Sequence, residues 1–271
     1  RILRKFLIHD IIIQIYNFKI FGSIKKNKTS YFLLKKCEFG DYHELDTIEK
    51  ISNKNKILFI DCGCNYGFYS FYSASLSNKN LIYSIEASKK THAEFLRNLN
   101  LNKFSNIQFE NKAVSNFDNE VITFHESEND WESSQSHCDF NLSSTYKVNT
   151  LTIDTLVKKI KFENFKIIIK LDIEGAEMKA LEGAFDLIKT TSPLIIMEFS
   201  KYIFNDQSKV TFFKNFLNDF DYSIYDTNCS KINLNEVIIK LDKLNKRHKT
   251  IGNLYLIKNS SDTLGVFLEN E

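Results

Sequence analysis

Lys56-Ile57-Leu58-Phe59-Ile60-Asp61-Cys62-Gly63-Cys64-Asn65-Tyr66-Gly67 is the stretch from which the fold is read. Its first half is a continuous apolar run. Such a run, with no polar alternation, fits a strand buried on both faces of a parallel sheet. Its second half is a turn with two glycines, and Phe68 to Leu76 then has the composition of a helix. Glycine at 63 and 67 lets the backbone turn sharply and come close to a ligand. The helix start beyond it offers free amide N–H groups to an anion. The spacing is not that of the G-x-G-x-x-G pyrophosphate loop, and an acid leads it. Asp61 would repel a pyrophosphate but suits an ammonium. S-adenosylmethionine carries both an ammonium and a carboxylate, so the loop points to that cofactor.

The same rhythm continues outward. Leu81–Ile85, Ile107–Phe109, Phe165–Leu171, Pro193–Met197, Tyr222–Tyr225 and Leu254–Ile257 read as strands, and Val121–Phe124 as a side strand. Helices are expected from Ser88, as N-cap, to Leu101, and over 153–160, 177–188, 210–220 and 234–244. Alternating strands and helices specify an α/β fold: a Rossmann-like, mostly parallel seven-stranded sheet with helices on both faces. Ligands of such sheets bind beyond the carboxyl ends of the strands, where the strand order reverses. Asp61, Glu86, Asp172 and Glu198 each follow an apolar strand and are expected on one rim. Glu86 is in the position that accepts ribose hydroxyls in dinucleotide folds.

Lys170-Leu171-Asp172-Ile173-Glu174-Gly175-Ala176-Glu177 packs four charges into a strand-to-helix junction. Strand alternation puts Lys170, Asp172 and Glu174 on one side. A helix start explains Glu174 and Glu177 through the macrodipole. It does not explain Lys170 and Asp172 inside an apolar strand, because buried charge is costly unless it is paired or serves a ligand.

Taken together, Asp61–Gly67, Glu86, Lys170–Glu177 and the strand Pro193–Glu198 resemble the FkbM-type methyltransferases over about residues 56–200. Leu181-Glu182-Gly183-Ala184 fits the same pattern, and Ala113-Val114-Ser115 resembles the family's adenine-side segment. The resemblance implies a class I methyltransferase fold, S-adenosylmethionine as cofactor, and O-methylation, often of sugar or natural-product hydroxyls. It assigns Asp61, Gly63, Asn65, Tyr66, Gly67, Glu86, Ala87, Ala113, Val114 and Asp172 to the cofactor. Asp172, Glu174 and Lys170 become the candidates for catalysis, with His125 and His137 behind them. The resemblance departs at Cys62 and Cys64, which are small enough for the loop. A metal-assisted variant is a lesser reading on the hard ligands Asp172, Glu174 and Glu198, and no metal is assigned.

The totals set limits. With 271 residues, 43% hydrophobic and 26% charged, the chain can bury a sizeable core. A net charge of +2 gives no field for nucleic acid. Five cysteines, odd in number and irregular in spacing, read as reduced thiols of a cytoplasmic protein, not as a disulfide framework or a zinc site. Residues 1–24 read as an amphipathic helix, too interrupted by charge to span a membrane, with an apolar face that is a candidate homodimer contact. The chain begins at Arg1 and not at Met, which leaves its natural start open. The expected layout is an extension over 1–50 and the Rossmann-like domain over 51–271. That domain would carry a lid at 125–143, with the only tryptophan, and an insertion at about 230–250. A small molecule or glycan is the expected partner. Two rival readings are a nucleotide-linked oxidoreductase, disfavoured by the missing G-x-G-x-x-G, and a non-catalytic scaffold on a degenerate methyltransferase fold.

Overall fold

Strand β3 (Ile57–Cys62) is buried along its whole length and forms the middle of the molecule. The computed structural model describes residues 11–22, 41–127, 142–204, 206–244 and 250–268. Within them β3 lies parallel between β4 (Leu81–Ile85) and β9 (Lys166–Leu171). The main sheet continues outward through β5 (Ile107–Glu110) on one side. On the other side come β10 (Leu194–Ser200), the antiparallel β13 (Thr250–Lys258), β11 (Tyr222–Tyr225) and the short β12 (Lys231–Ile232). The order is β12-β11-β13-β10-β9-β3-β4-β5. The expected seven strands are all there, and the two-residue β12 extends the sheet to eight. Chain order reverses between β3 and β9, so their carboxyl ends frame the crevice such sheets use for ligands.

The unbroken apolar run of β3 serves two cores at once. Leu58, Ile60 and Cys62 pack with helices α4 (Ile153–Val157), α5 (Glu177–Glu182), α6 (Phe185–Thr191), α7 (Gln207–Asp219) and α8 (Leu234–Asp242). Ile57 and Phe59 pack on the other face with α1 (Tyr42–Lys54), α2 (Phe68–Leu76), α3 (Lys89–Asn102) and α9 (Asp262–Leu268). Each fully buried Ile, Leu or Phe contributes roughly 1.5–3 kcal/mol, so both cores hold the central strands in place.

Residues 11–22 correct the expected N-terminal helix. They form a hairpin of β1 (Ile11–Ile15) and β2 (Phe18–Gly22). Isoleucine is β-branched and gives up rotamer freedom in a helix. The burial of β1 and β2 also alternates with period two: Ile15, Phe18 and Ile20 enter the α2–α3 core while Lys19 stays outside. Two asparagines of α3 fix its edge. Phe21 N donates to Asn98 Oδ1 at 2.8 Å, and Lys19 N donates to Asn102 Oδ1 at 2.7 Å. The candidate dimer contact over 11–22 is therefore a hairpin face, with its apolar side turned into the core. Residues 1–10, the start of that expected helix, lie outside the described residues.

The other expectations hold with small changes. Ser88 caps α3, its Oγ accepting from Thr91 N at 3.1 Å. The single helix expected over 177–188 is split into α5 and α6 at Gly183, where an added Cβ would come within 2.2 Å of the Ser115 carbonyl oxygen. A separate sheet joins β6 (Ala113–Val114), β8 (Leu142–Leu151) and β7 (Val121–Ser127). The ends of the expected lid are thus strand, and its centre, with Trp131 and His137, lies outside the described residues. The expected insertion near 230–250 holds β12 and α8. Among the described residues no helix is long and apolar enough to cross a membrane.

Candidate active site

Register and core membership place one row of polar side chains on a single face of the sheet. Asp61 is opposite Lys170 on one side and Ser84 on the other, and Glu198 is opposite Asn253. The neighbours of these residues, Phe59, Ile168, Ile196 and Tyr255, all belong to the core beneath α1 and α2. Side chains two apart on a strand share a face, so Asp61, Glu86, Lys170, Asp172 and Glu198 share this one. The four strand-end acids expected on one rim are brought together.

The loop after β3 is shaped by contact with its neighbours. Gly63 has φ +81°, and a Cβ there would lie 1.9 Å from the Asp172 carbonyl oxygen. Its glycine is required because the loop after β9 passes against it. The N–H groups of Gly63 and Cys64 both donate to Ile85 O, and Asp172 N donates to Cys62 O at 3.1 Å, so three strand ends are laced together. Gly67, at φ +89°, starts α2, and a Cβ would press on the rings of Phe71 and Phe95. Tyr66 is buried, and its carbonyl accepts from Asn98 Nδ2 at 3.1 Å. Cys62 and Cys64 are buried thiols pushed well up by burial and by the Asp61 charge, so they are chemically quiet.

Two carboxyls flank that loop. Asp61 is 1% exposed, and its Oδ2 accepts from Ser70 Oγ at 2.6 Å. Its Oδ1 has no hydrogen-bond partner among the described residues. Burial raises its pKa to about 6, against the pull of Lys170 and Ser70. Glu86 receives one backbone N–H on each oxygen, from Asn65 at 2.9 Å and from Ser88 at 2.8 Å. Burial nonetheless raises it to about 7. The Thr91 side chain is a further donor to Glu86, and a carboxylate, with about four lone-pair sites, can still accept from a ligand hydroxyl. This donor set fits S-adenosylmethionine: a buried orphan oxygen for its ammonium and a partly satisfied carboxyl for its ribose. Ala87 and Ala113 share a small cluster with Phe124 and Val148 next to Glu86, while Val114 joins the core on the opposite face. Asn111 Nδ2 ties this side together by donating to Glu86 O at 2.7 Å.

The second half of the site is the turn after β9. Lys170 is 2% exposed; its ammonium donates to Asp172 Oδ2 at 2.7 Å and lies 4.6 Å from the Tyr69 ring centre. Burial pulls its pKa down, but Asp172 and Asp61 outweigh that and raise it above the usual lysine value. Glu174 has φ +51° and Gly175 φ +95°. A non-glycine residue in that region costs about 1–2 kcal/mol, a local strain that turns the Glu174 segment. Glu177 locks the turn, its Oε1 accepting from Ile173 N and Gly175 N. Oxygen atoms of Asp172, Glu174 and Glu198 lie within 4.8 Å of one another. Burial raises Glu198 to about 8, helped by the Asp172 and Glu177 charges.

His125 is in β7 opposite Thr145. Sequence reasoning missed Ser70, which orients Asp61, and Glu126, which accepts from Ser88 Oγ at 2.6 Å and from the Tyr146 hydroxyl beside Glu86. No spacing rule marks either of them, since both depend on contacts between distant elements.

Residues 61–224 match the family model of the methyltransferase FkbM domain. No curated protein sequence shows significant similarity to the chain. Solved structures give partial likenesses. One is the methyltransferase FkbM of Methylobacillus flagellatus KT, 20% identical, covering 84% of this chain and 54% of its own, with a TM-score of 0.44. The chain thus spans about half the length of that protein. Another is the precorrin-6y C5,15-methyltransferase of Geobacter metallireducens GS-15, at 12% identity, 90% and 97% coverage and a TM-score of 0.45. A third is TYW2 of M. jannaschii in complex with AdoMet, at 12% identity, 91% and 84% coverage and a TM-score of 0.44.

Proposed function

Since the chain belongs to the FkbM family of S-adenosylmethionine-dependent methyltransferases, we propose that it methylates a hydroxyl oxygen of a sugar, glycan precursor or natural product. The observation that carries this reading is the pair of buried carboxyls flanking the glycine loop, Asp61 with its orphan Oδ1 and Glu86 held by the Asn65 and Ser88 N–H groups. When bound, S-adenosylmethionine supplies an electrophilic methyl carbon on a sulfonium.

The residues divide the work. Asp61 would accept from the cofactor's ammonium and Glu86 from its ribose hydroxyls, and Ala87 and Ala113 would border the adenine, with Val114 anchoring that segment in the core of the opposite face. Gly63 and Gly67 keep the Asn65–Tyr66 backbone close to the ligand. Methyl transfer is an in-line displacement, so alignment supplies much of the acceleration, at best roughly 7–11 kcal/mol. Asp172 and Glu174 face the acceptor, and one of them takes the hydroxyl proton, a base contribution of about 10²–10⁴-fold. Lys170 holds Asp172 in place through its ammonium.

An acceptor screen with cofactor labelled in its methyl group tests the reading. Transfer to a sugar or polyol hydroxyl, lost in Asp172→Asn while cofactor binding persists, is the expected result. Cofactor binding with methylation of nitrogen or carbon acceptors alone overturns the O-methylation reading.

A further inference from the structure

Resting on that reading, we propose that Glu126 is a positioning residue for the cofactor's ribose: it fixes the first turn of α3, and that turn holds the Glu86 carboxyl that receives the ribose hydroxyls. Glu126 comes from β7, in the smaller sheet, and is 4% exposed. It is two residues beyond Phe124, so the two share a face of their strand. Phe124 packs there with Ala113, Val148, Tyr146 and Ala87. That face therefore meets the chain where it passes from Glu86 into α3.

Both Glu126 oxygens are committed to this junction. Oε1 accepts from Ser88 Oγ at 2.6 Å, and Oε2 accepts from the Tyr146 hydroxyl. Tyr146 passes the contact on, since its hydroxyl accepts from Lys89 N at 2.7 Å and its ring centre lies 4.6 Å from the Lys89 ammonium. Ser88 Oγ also accepts from Thr91 N at 3.1 Å. The proton of that hydroxyl goes to an acceptor outside the helix, and Glu126 is that acceptor. Hydrogen bonds to a charged group are roughly twice as strong as neutral ones. They also offset the cost of burying the carboxylate. The turn so held delivers Ser88 N to Glu86 Oε1 at 2.8 Å, and the Thr91 side chain is a second donor to Glu86. Glu86 is thus aimed by α3 on one side and by Asn65 N of the glycine loop on the other. Burial is the main cause of the raised Glu86 pKa, and the Glu126 charge adds to it, so the two carboxyls are also in electrostatic contact.

Calorimetric titration of the full chain with S-adenosylhomocysteine, the cofactor without its methyl group, and with its 2′-deoxy and 3′-deoxy analogues tests this. In the wild-type chain, loss of either hydroxyl should weaken binding at least about tenfold, as for a hydrogen bond to a charged group. In Glu126→Gln the side chain has one acceptor oxygen and cannot take both hydroxyl protons. Affinity for S-adenosylhomocysteine should fall about tenfold there, and the deoxy penalty should shrink to within about threefold. Tyr146→Phe, which keeps the ring against Phe124, should shrink the penalty in the same direction. A cooperative melting transition shows that each variant is folded, and Tyr146→Phe decides if Glu126→Gln lacks one. A deoxy penalty as large in the folded variants as in wild type confines Glu126 to a structural role and overturns the proposal. A wild-type chain that does not bind S-adenosylhomocysteine overturns the cofactor site itself. One that binds the deoxy analogues as tightly as the parent compound overturns the ribose role of Glu86, and the proposal falls with it.

Discussion

Gly63 shows most plainly how a single residue sets the site. Its positive φ and the 1.9 Å approach a Cβ would make to Asp172 O leave no room for any side chain. Gly63→Ala must push apart the β3 and β9 loops, at a destabilisation of about 2–4 kcal/mol. For a chain of this size that is a fall in melting temperature of roughly 5–15 °C, measurable by thermal denaturation, and cofactor affinity falls with it. An unchanged melting temperature would mean the two loops do not meet.

Glu86 gives a prediction in pH. Its pKa is raised from 4.5 to about 7. Between those values the native state holds a proton that the unfolded chain has released, so this group makes the free protein less stable as pH rises through that window. Each pKa unit corresponds to about 1.4 kcal/mol. Ribose hydroxyls bound at Glu86, as proposed, would donate to the carboxylate form and reverse the effect. S-adenosylmethionine affinity should therefore rise as pH climbs through about 7, and Glu86→Gln should flatten that dependence in calorimetric titrations at pH 6 and pH 8. The loop and both carboxyls were legible in the sequence because each follows an apolar strand. Ser70 was not, because its contact with Asp61 depends on the first turn of α2 folding back over β3.

At the scale of elements, the central strands were readable and the edges were not. β3, β4, β9 and β10 are buried on both faces, and that condition writes itself as an unbroken apolar run. The N-terminal hairpin misled because its isoleucine run was read with a helical period, although burial alternates along both of its strands. β6 and β12 have two residues each, too few to show any period. The hairpin has a bearing on the site. Asn98 of α3 is fully buried; it accepts from Phe21 N and donates to Tyr66 O, joining the hairpin to the glycine loop. Asn98→Ala strands a buried donor and a buried acceptor at about 1–3 kcal/mol each. The expected outcome is a melting temperature lowered by several degrees together with weaker cofactor binding, since the Tyr66 backbone loses its anchor. A loss of stability with cofactor affinity intact would confine Asn98 to holding the hairpin.

Over the whole molecule, two cores clamp the sheet and leave the carboxyl ends of its strands as one acidic face. The helices of the α1–α3 side bury Phe59 and Ile168, and the next same-face residues along those strands, Asp61 and Lys170, begin the site. The fold and the row of strand-end acids could be read from the sequence because strand ends, glycines and acids occur in a fixed order. The pairing of Asn253 with Glu198 could not, because it arises from the antiparallel pairing of β13 with β10, which are far apart in the chain.

The account rests on S-adenosylmethionine occupying the crevice between Asp61 and Glu86. Its most direct test is a calorimetric titration of the chain with S-adenosylmethionine, alongside Asp61→Asn and Glu86→Gln. The account predicts one-to-one binding by the wild-type chain, weakened at least about tenfold, or 1.4 kcal/mol, in each variant. A wild-type chain that binds no cofactor, or variants that bind it as tightly as wild type, would contradict it.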